Sequence, residues 1–227
     1  MLQELEVGAR ARVWWTTLDL APTTRLELTA LLSADEVARA ASYPDAARGE
    51  RFAIGRSVLR FVLGEVTGCA GRELEFASGE HGKPSLAGPT APLGIHFNLS
   101  HAKGLIVVAT ARSRRVGIDV AWVGGTAPID RVAERFFSPA ERAALQQAPA
   151  ELRRECFHRI WVRKEAFLKG IGAGISARIR ETDLSHPAGA VHALEGASGS
   201  DGKRWEVSDV AGLPTGYVAS IAIERST

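Results

Sequence analysis

The sequence predicts an α+β fold built from two similar halves, and three observations carry that prediction. Two helix-start signals, Ser33-Ala-Asp-Glu36 and Ser138-Pro-Ala-Glu141, stand at matching places in the two halves of the 227 residues. Each precedes a longer amphipathic segment, and a phenylalanine keeps the same offset in both, at Phe52 and Phe157. Apolar, β-branched stretches, above all Leu105-Ile-Val-Val-Ala109, read as strands. The expected arrangement is a pseudo-twofold duplication, residues 1–112 and 113–227, with a ligand cleft between the two subdomains, where pockets preferentially form.

In chain order, Arg12-Val-Trp-Trp-Thr-Thr-Leu18 is rich in branched and aromatic residues and reads as a strand. The first capping box opens a helix at Ser33 that Pro44 ends. Arg51 to Glu65 is an amphipathic helix with Phe52, Leu59 and Leu63 on one side, followed by a Gly/Pro-rich connection from Ser78 to Pro92. His96–His101 and Leu105–Ala111 form a hairpin across Ala-Lys-Gly, and the unbroken apolar run predicts that its second strand is buried on both faces. Arg115–Trp122 is a third strand. The second capping box places Pro139 at the favoured first helical position. A long helix runs from about Glu151 to Lys169, where Gly170, Gly172 and Gly174 stop it. The tail is strands and turns, closing on the apolar strand Tyr217–Ile223.

Bulk properties exclude several function classes. A net charge of +2 leaves no electrostatic footprint for nucleic acid, although a local basic patch for a phosphorylated ligand is compatible with it. Two cysteines, Cys69 and Cys156, rule out a disulfide framework and a cysteine zinc site. No apolar run approaches the length of a membrane helix, so a soluble cytoplasmic protein is expected. Basic residues are almost all arginine: 23 against five lysines.

The chemistry centres on two segments. Glu165 and Lys169 are four apart on one helix face, which by itself describes an ordinary solvated pair worth a few tenths of a kcal/mol. Asp119 closes the strand segment Val116-Gly-Ile, where an aspartate taken alone reads first as a turn or cap residue and second as a metal ligand. Magnesium takes one or two carboxylates together with substrate phosphates and water, and Asp119 with Glu165 would suffice for it.

Val116-Gly-Ile-Asp119 followed by Trp161-Val-Arg-Lys-Glu165 and Ala-Phe-Leu-Lys169 resembles the paired signature of the Sfp-type 4′-phosphopantetheinyl transferases. Gly82-Lys-Pro84 and Phe97-Asn-Leu-Ser-His101 fall in the family's order upstream, and Arg51-Phe-Ala-Ile-Gly-Arg56 resembles its basic amino-terminal helix. Each motif is short, but five in order are specific, and three of the five lysines (83, 164 and 169) lie inside them.

The resemblance implies transfer of the 4′-phosphopantetheine arm of coenzyme A to a serine of an apo acyl or peptidyl carrier protein, releasing 3′,5′-ADP. It implies a magnesium ion on Asp119 and Glu165, Glu165 as general base, and Lys169 on the pyrophosphate. For coenzyme A it implies contacts from Lys83, Ser100 and His101, from Arg51 and Arg39 as 3′-phosphate candidates, and from Lys164 in a structural or secondary phosphate role. A single chain would act as a monomer, its two halves forming an internal pseudo-dimer, and which carrier it serves is left open. One departure stands out: family members often carry Gly-x-Asp-x-Glu, whereas residue 121 is alanine. Residues 119 and 121 share a strand face, so one potential metal oxygen is missing and water would replace it. That gap is the one feature favouring a catalytically weak adaptor that binds carrier domains or coenzyme A. An unrelated two-carboxylate phosphohydrolase would want a denser acidic cluster.

Overall fold

A computed structural model describes residues 2–7, 11–79, 83–126, 128–172, 177–186, 192–194 and 204–225. His81 and Gly82, upstream of Lys83, and the expected helix stop at Gly174 lie outside them. The first half contributes strands β1 (Gln3–Val7) and β2 (Ala11–Thr17), then helices α1 (Pro22–Thr29), α2 (Ala34–Ala41) and α3 (Ala46–Thr67). The small hairpin β3 (Glu75–Ser78) and β4 (Pro84–Ala87) follows, and then β5 (Ile95–Ala102) and β6 (Leu105–Arg112). The second half contributes β7 (Val116–Trp122), helices α4 (Ile129–Phe136), α5 (Pro139–Gln147) and α6 (Arg153–Ile171), and strands β8 (His192–Leu194), β9 (Trp205–Val210) and β10 (Tyr217–Glu224).

Two antiparallel four-stranded sheets result, in the orders β1-β2-β6-β5 and β7-β10-β9-β8. The fold is therefore α+β. Within each sheet the strand before the helices pairs with the last strand, which pairs in turn with the strand before it. The β5–β6 hairpin closes through Lys103 and Gly104, with φ of 37° and 89°, the left-handed turn that matches strand twist.

The sheets face each other across a shared core. Val13, Leu105, Val107 and Ala109 from one meet Val116, Ile118, Ile221 and Ile223 from the other. The alternate residues of β6, Ile106 and Val108, point the opposite way, into a second core with Val58, Leu59, Val62 and Leu63 of α3. The apolar run of β6 is thus buried on both faces, as its composition predicts, because helix, sheet, sheet and helix stack in four layers. Each such Val, Leu or Ile contributes about 1.5–3 kcal/mol.

Both capping boxes form. The Ser33 hydroxyl accepts from the Glu36 amide at 3.3 Å and the Glu36 carboxylate from the Ser33 amide at 3.1 Å. Ser138 and Glu141 repeat the exchange at 3.1 and 2.7 Å. Each buried glutamate also reaches the long helix behind it. Glu36 takes Arg60 at 2.6 Å, and Glu141 takes Lys164 at 2.8 Å. Each of those cations then donates to two loop carbonyls, Arg60 to Gly71 and Leu74, Lys164 to Ile179 and Thr182. The same three-way tie recurs in both halves, at corresponding places.

Candidate active site

The site begins with a glycine. A Cβ on Gly117 would lie 2.1 Å from the Ala166 carbonyl oxygen and 2.3 Å from the Gly170 amide nitrogen, so α6 lies backbone against backbone on β7. Two residues further along the same strand face, Asp119 meets the helix turn that carries Glu165 and Lys169. Its buried carboxylate Oδ1 accepts from Lys169 Nζ at 2.7 Å and from the Ser100 hydroxyl of β5 at 2.8 Å. Lys169 Nζ also donates to Ser100 at 2.9 Å, closing a triangle across the junction of the two sheets.

Glu165 stands beside this triangle, with no hydrogen-bond or ion-pair partner among the described residues. Burial pushes its carboxyl up to about 6; the negative charge of Asp119 adds to the rise and Lys169 opposes it. Among the described residues no three His, Cys, Asp or Glu side chains gather into a metal-holding cluster. The donor set nonetheless fits a hard divalent cation. Two carboxylates repel each other, one has no partner, and magnesium asks for few protein oxygens when substrate phosphates complete its shell.

β7 is the outer strand of its sheet, and its unpaired edge is met by side chains from the first half. Asn98 Oδ1 accepts from the Ile118 amide at 2.9 Å. Lys83 Nζ donates to the carbonyls of Val116, Lys169 and Gly170 at 2.9, 2.6 and 3.3 Å. Three acceptors use all three of its protons, whereas the resemblance implied a coenzyme A contact for Lys83. Lys164, given a structural or a secondary phosphate role by the resemblance, takes the structural one. It is 1% exposed and spends its protons on Glu141, Ile179 and Thr182, a structural role with none left for a ligand. Ser100, also expected at the ligand, points instead to Asp119.

The next residue on β5, His101, faces the other way because strand side chains alternate. It lines a pocket of about 330 Å³ with Tyr43, Arg48, Arg51, Phe52, Gly55, Arg56 and Leu99. Arg51 and His101 thus come together. Arg56 is committed to Glu36 at 2.6 Å. Arg39 does not line the pocket but stacks over Phe52, 5.0 Å from its ring centre. Sequence reasoning missed Arg48, although its place three residues before Arg51 on a helix puts the two on one face. Missed too were Asn98 and the packing role of Gly117, for which a lone glycine in a strand was the available signal.

Comparison with known proteins agrees with this geometry. The model of a family described as the 4′-phosphopantetheinyl transferase superfamily matches residues 115–222, the half that holds Asp119, Glu165 and Lys169. The 4′-phosphopantetheinyl transferase HetI of Nostoc sp. is 36% identical over 76% of this chain and 73% of its own length. The 4′-phosphopantetheinyl transferase Sfp of Bacillus subtilis is 32% identical over 56% of this chain and 54% of its own. For AcpT of Escherichia coli K12 the figures are 34%, 57% and 61%. Among the described residues no helix is long and apolar enough to cross a membrane. With a carboxylate–lysine centre at the junction of two sheets, an arginine–histidine pocket one residue along the same strand, and these relatives, the chain belongs to the 4′-phosphopantetheinyl transferase family and is an enzyme of that class.

Proposed function

We propose that the cleft transfers the 4′-phosphopantetheine arm of coenzyme A to a serine of an apo acyl or peptidyl carrier protein in the cytoplasm, releasing 3′,5′-ADP. The observation that carries this reading is the placement of Ser100 and His101 on one strand, one at the Asp119–Lys169 centre and the other in the arginine pocket. A coenzyme whose pyrophosphate and nucleotide phosphates are a few bonds apart needs two such anion sites side by side. Arg48 and Arg51 suit the nucleotide end, since planar guanidinium groups bind phosphate bidentately, with Arg39 at its rim.

Transfer of this kind depends on positioning and on neutralising charge rather than on covalent chemistry by the protein. Bound magnesium, held by Asp119 and Glu165, would neutralise the non-bridging pyrophosphate oxygens, with water in place of the missing third carboxylate. Glu165, unpaired and with a carboxyl poised at about 6, is ionised at neutral pH and takes the proton of the attacking serine, directly or through water. Lys169 exchanges its contact with Asp119 for a phosphate oxygen as charge develops on the leaving group. The duplicated units are residues 1–112 and 113–227, and the repeated cap–cation ties support that division within one monomeric chain.

The test mixes the protein with coenzyme A, magnesium and an apo carrier domain, then weighs the carrier. It should gain the mass of one phosphopantetheine arm. Glu165→Gln should reduce transfer by roughly 10²- to 10⁴-fold, the usual contribution of a general base. Transfer by this variant at the wild-type rate would remove Glu165 from the mechanism.

A further inference from the structure

We propose that Lys83 is a positioning residue for this transfer, a helix cap supplied by one half to the catalytic helix of the other. The inference rests on the reading that Asp119, Glu165 and Lys169 carry the reaction. Helix α6 ends at Ile171, so the carbonyls of Lys169 and Gly170 are among the last four, which have no partner within the helix. Lys83 approaches them from the β3–β4 hairpin of the first half at 2.6 and 3.3 Å. The negative end of the helix dipole favours a cation there. The third proton goes to Val116 at 2.9 Å, three residues before Asp119 on β7.

One ammonium therefore holds the two elements that must stay in register. On the helix it fixes the backbone of Lys169, whose own side chain meets Asp119. On the strand it fixes the run that delivers Asp119. Without it, the last turn of α6 has two bare carbonyls facing a buried seam, and the turn is free to fray or shift. Misplacement of about 1 Å costs a reaction of this type up to roughly 100-fold. Burial brings the Lys83 ammonium down to about 8, with Arg115 adding to the fall. His96 also faces it, its own protonation disfavoured by burial first and then by Lys83, with the Glu224 carboxylate beside it on the opposing side.

The experiment compares Lys83→Met and Lys83→Arg with the wild-type chain in the carrier mass assay, and follows amide hydrogen exchange by mass spectrometry. Lys83→Met is expected to lower kcat roughly ten- to 100-fold with KM for coenzyme A changed less than about threefold. Exchange should quicken in peptides covering residues 166–172 and 116–119. Lys83→Arg, which keeps the cation and its donors, should recover most of the rate and the protection. A raised KM with kcat unchanged would overturn the proposal in favour of direct coenzyme contact, and so would unchanged exchange in those peptides. If Lys83→Met does not fold, the arginine variant carries the test: protection restored at 166–172 supports the cap, and protection lost with normal folding overturns it. Failure of the wild-type chain to modify any carrier would sink the transferase mechanism, while the exchange comparison would still decide whether Lys83 caps the helix.

Discussion

Replacing Gly117 by alanine isolates the contact on which the site depends. The added carbon would sit 2.1 Å from Ala166 O and 2.3 Å from Gly170 N, where ordinary contact begins at 3.4 Å. Both neighbours are backbone, so no rotamer change relieves the clash, and α6 must lift from β7 by about 1 Å. Overpacking of this kind costs about 1–3 kcal/mol. In a chain of this size each kcal/mol lowers Tm by about 2–4 °C, which sets an expected fall of about 2–12 °C. The same displacement takes Glu165 and Lys169 away from Asp119, so kcat for carrier modification should fall by about 100-fold. Thermal unfolding followed by circular dichroism and the carrier mass assay read the two effects. Gly55→Ala supplies a control of opposite sign. It lies mid-helix in α3 with nothing within 4 Å of an added Cβ, so it should gain about 0.5–1 kcal/mol. A Gly117→Ala protein with wild-type Tm and wild-type kcat would refute the argument that helix–strand approach builds the site.

Three further outcomes follow from the electrostatics. The Glu165 carboxyl of the free protein is raised to about 6 and a bound cation would lower it, so the acid limb of a kcat/KM profile should lie below 6 and move upward as magnesium is reduced. The stability sign is the opposite: the folded state holds that proton more tightly, so stability is lost as pH rises through 6. Glu165→Gln should thus be up to about 2 kcal/mol more stable than wild type at pH 7–8 in urea, and equal stability would contradict the raised pKa. Burial opposes the charge of Glu36, but Arg60, the Ser33 amide and Arg56 outweigh it and hold the carboxyl below its ordinary value. Glu36→Ala leaves Arg60 buried and unpaired and should cost about 3–5 kcal/mol at neutral pH. The wild-type advantage should shrink only in acid, as pH falls through the depressed value, and a constant difference down to strong acid would contradict the pairing. Chelation of divalent cations should stop transfer and added magnesium restore it, and a rate indifferent to chelator would remove the metal from Asp119 and Glu165.

What could be read from the sequence was local. A capping box is four residues long, and both formed where Ser33 and Ser138 placed them. The burial of β6 followed from an unbroken apolar run, and the helix stop from Gly172 at φ 78°. Helices α1 and α4, eight residues each, escaped notice because neither has a side-chain cap and α1 buries no residue fully. Strand β1 is shorter still and sits at a sheet edge. Among site residues, Asp119, Glu165 and Lys169 were legible through motif order and do meet. The role of Lys83 was not, because a lysine's partners can lie far away in sequence. Those of Lys83 sit 33, 86 and 87 residues on. Asn98 was invisible for the same reason: its value comes from a strand edge that only the assembled sheets create.

That edge has a bearing on how the chain avoids self-association. An outer strand with free amides and carbonyls is a template on which another chain can add a strand. Here Asn98 and Lys83 occupy the exposed row of β7, so the strand most loaded with catalytic duty is also withheld from intermolecular pairing. Either half produced by itself would lose this cover. Residues 113–227 alone would present the Val116–Trp122 row to any passing copy. Joining the two halves therefore does more than shape a cleft: it covers an outer strand on which another copy could otherwise add a strand.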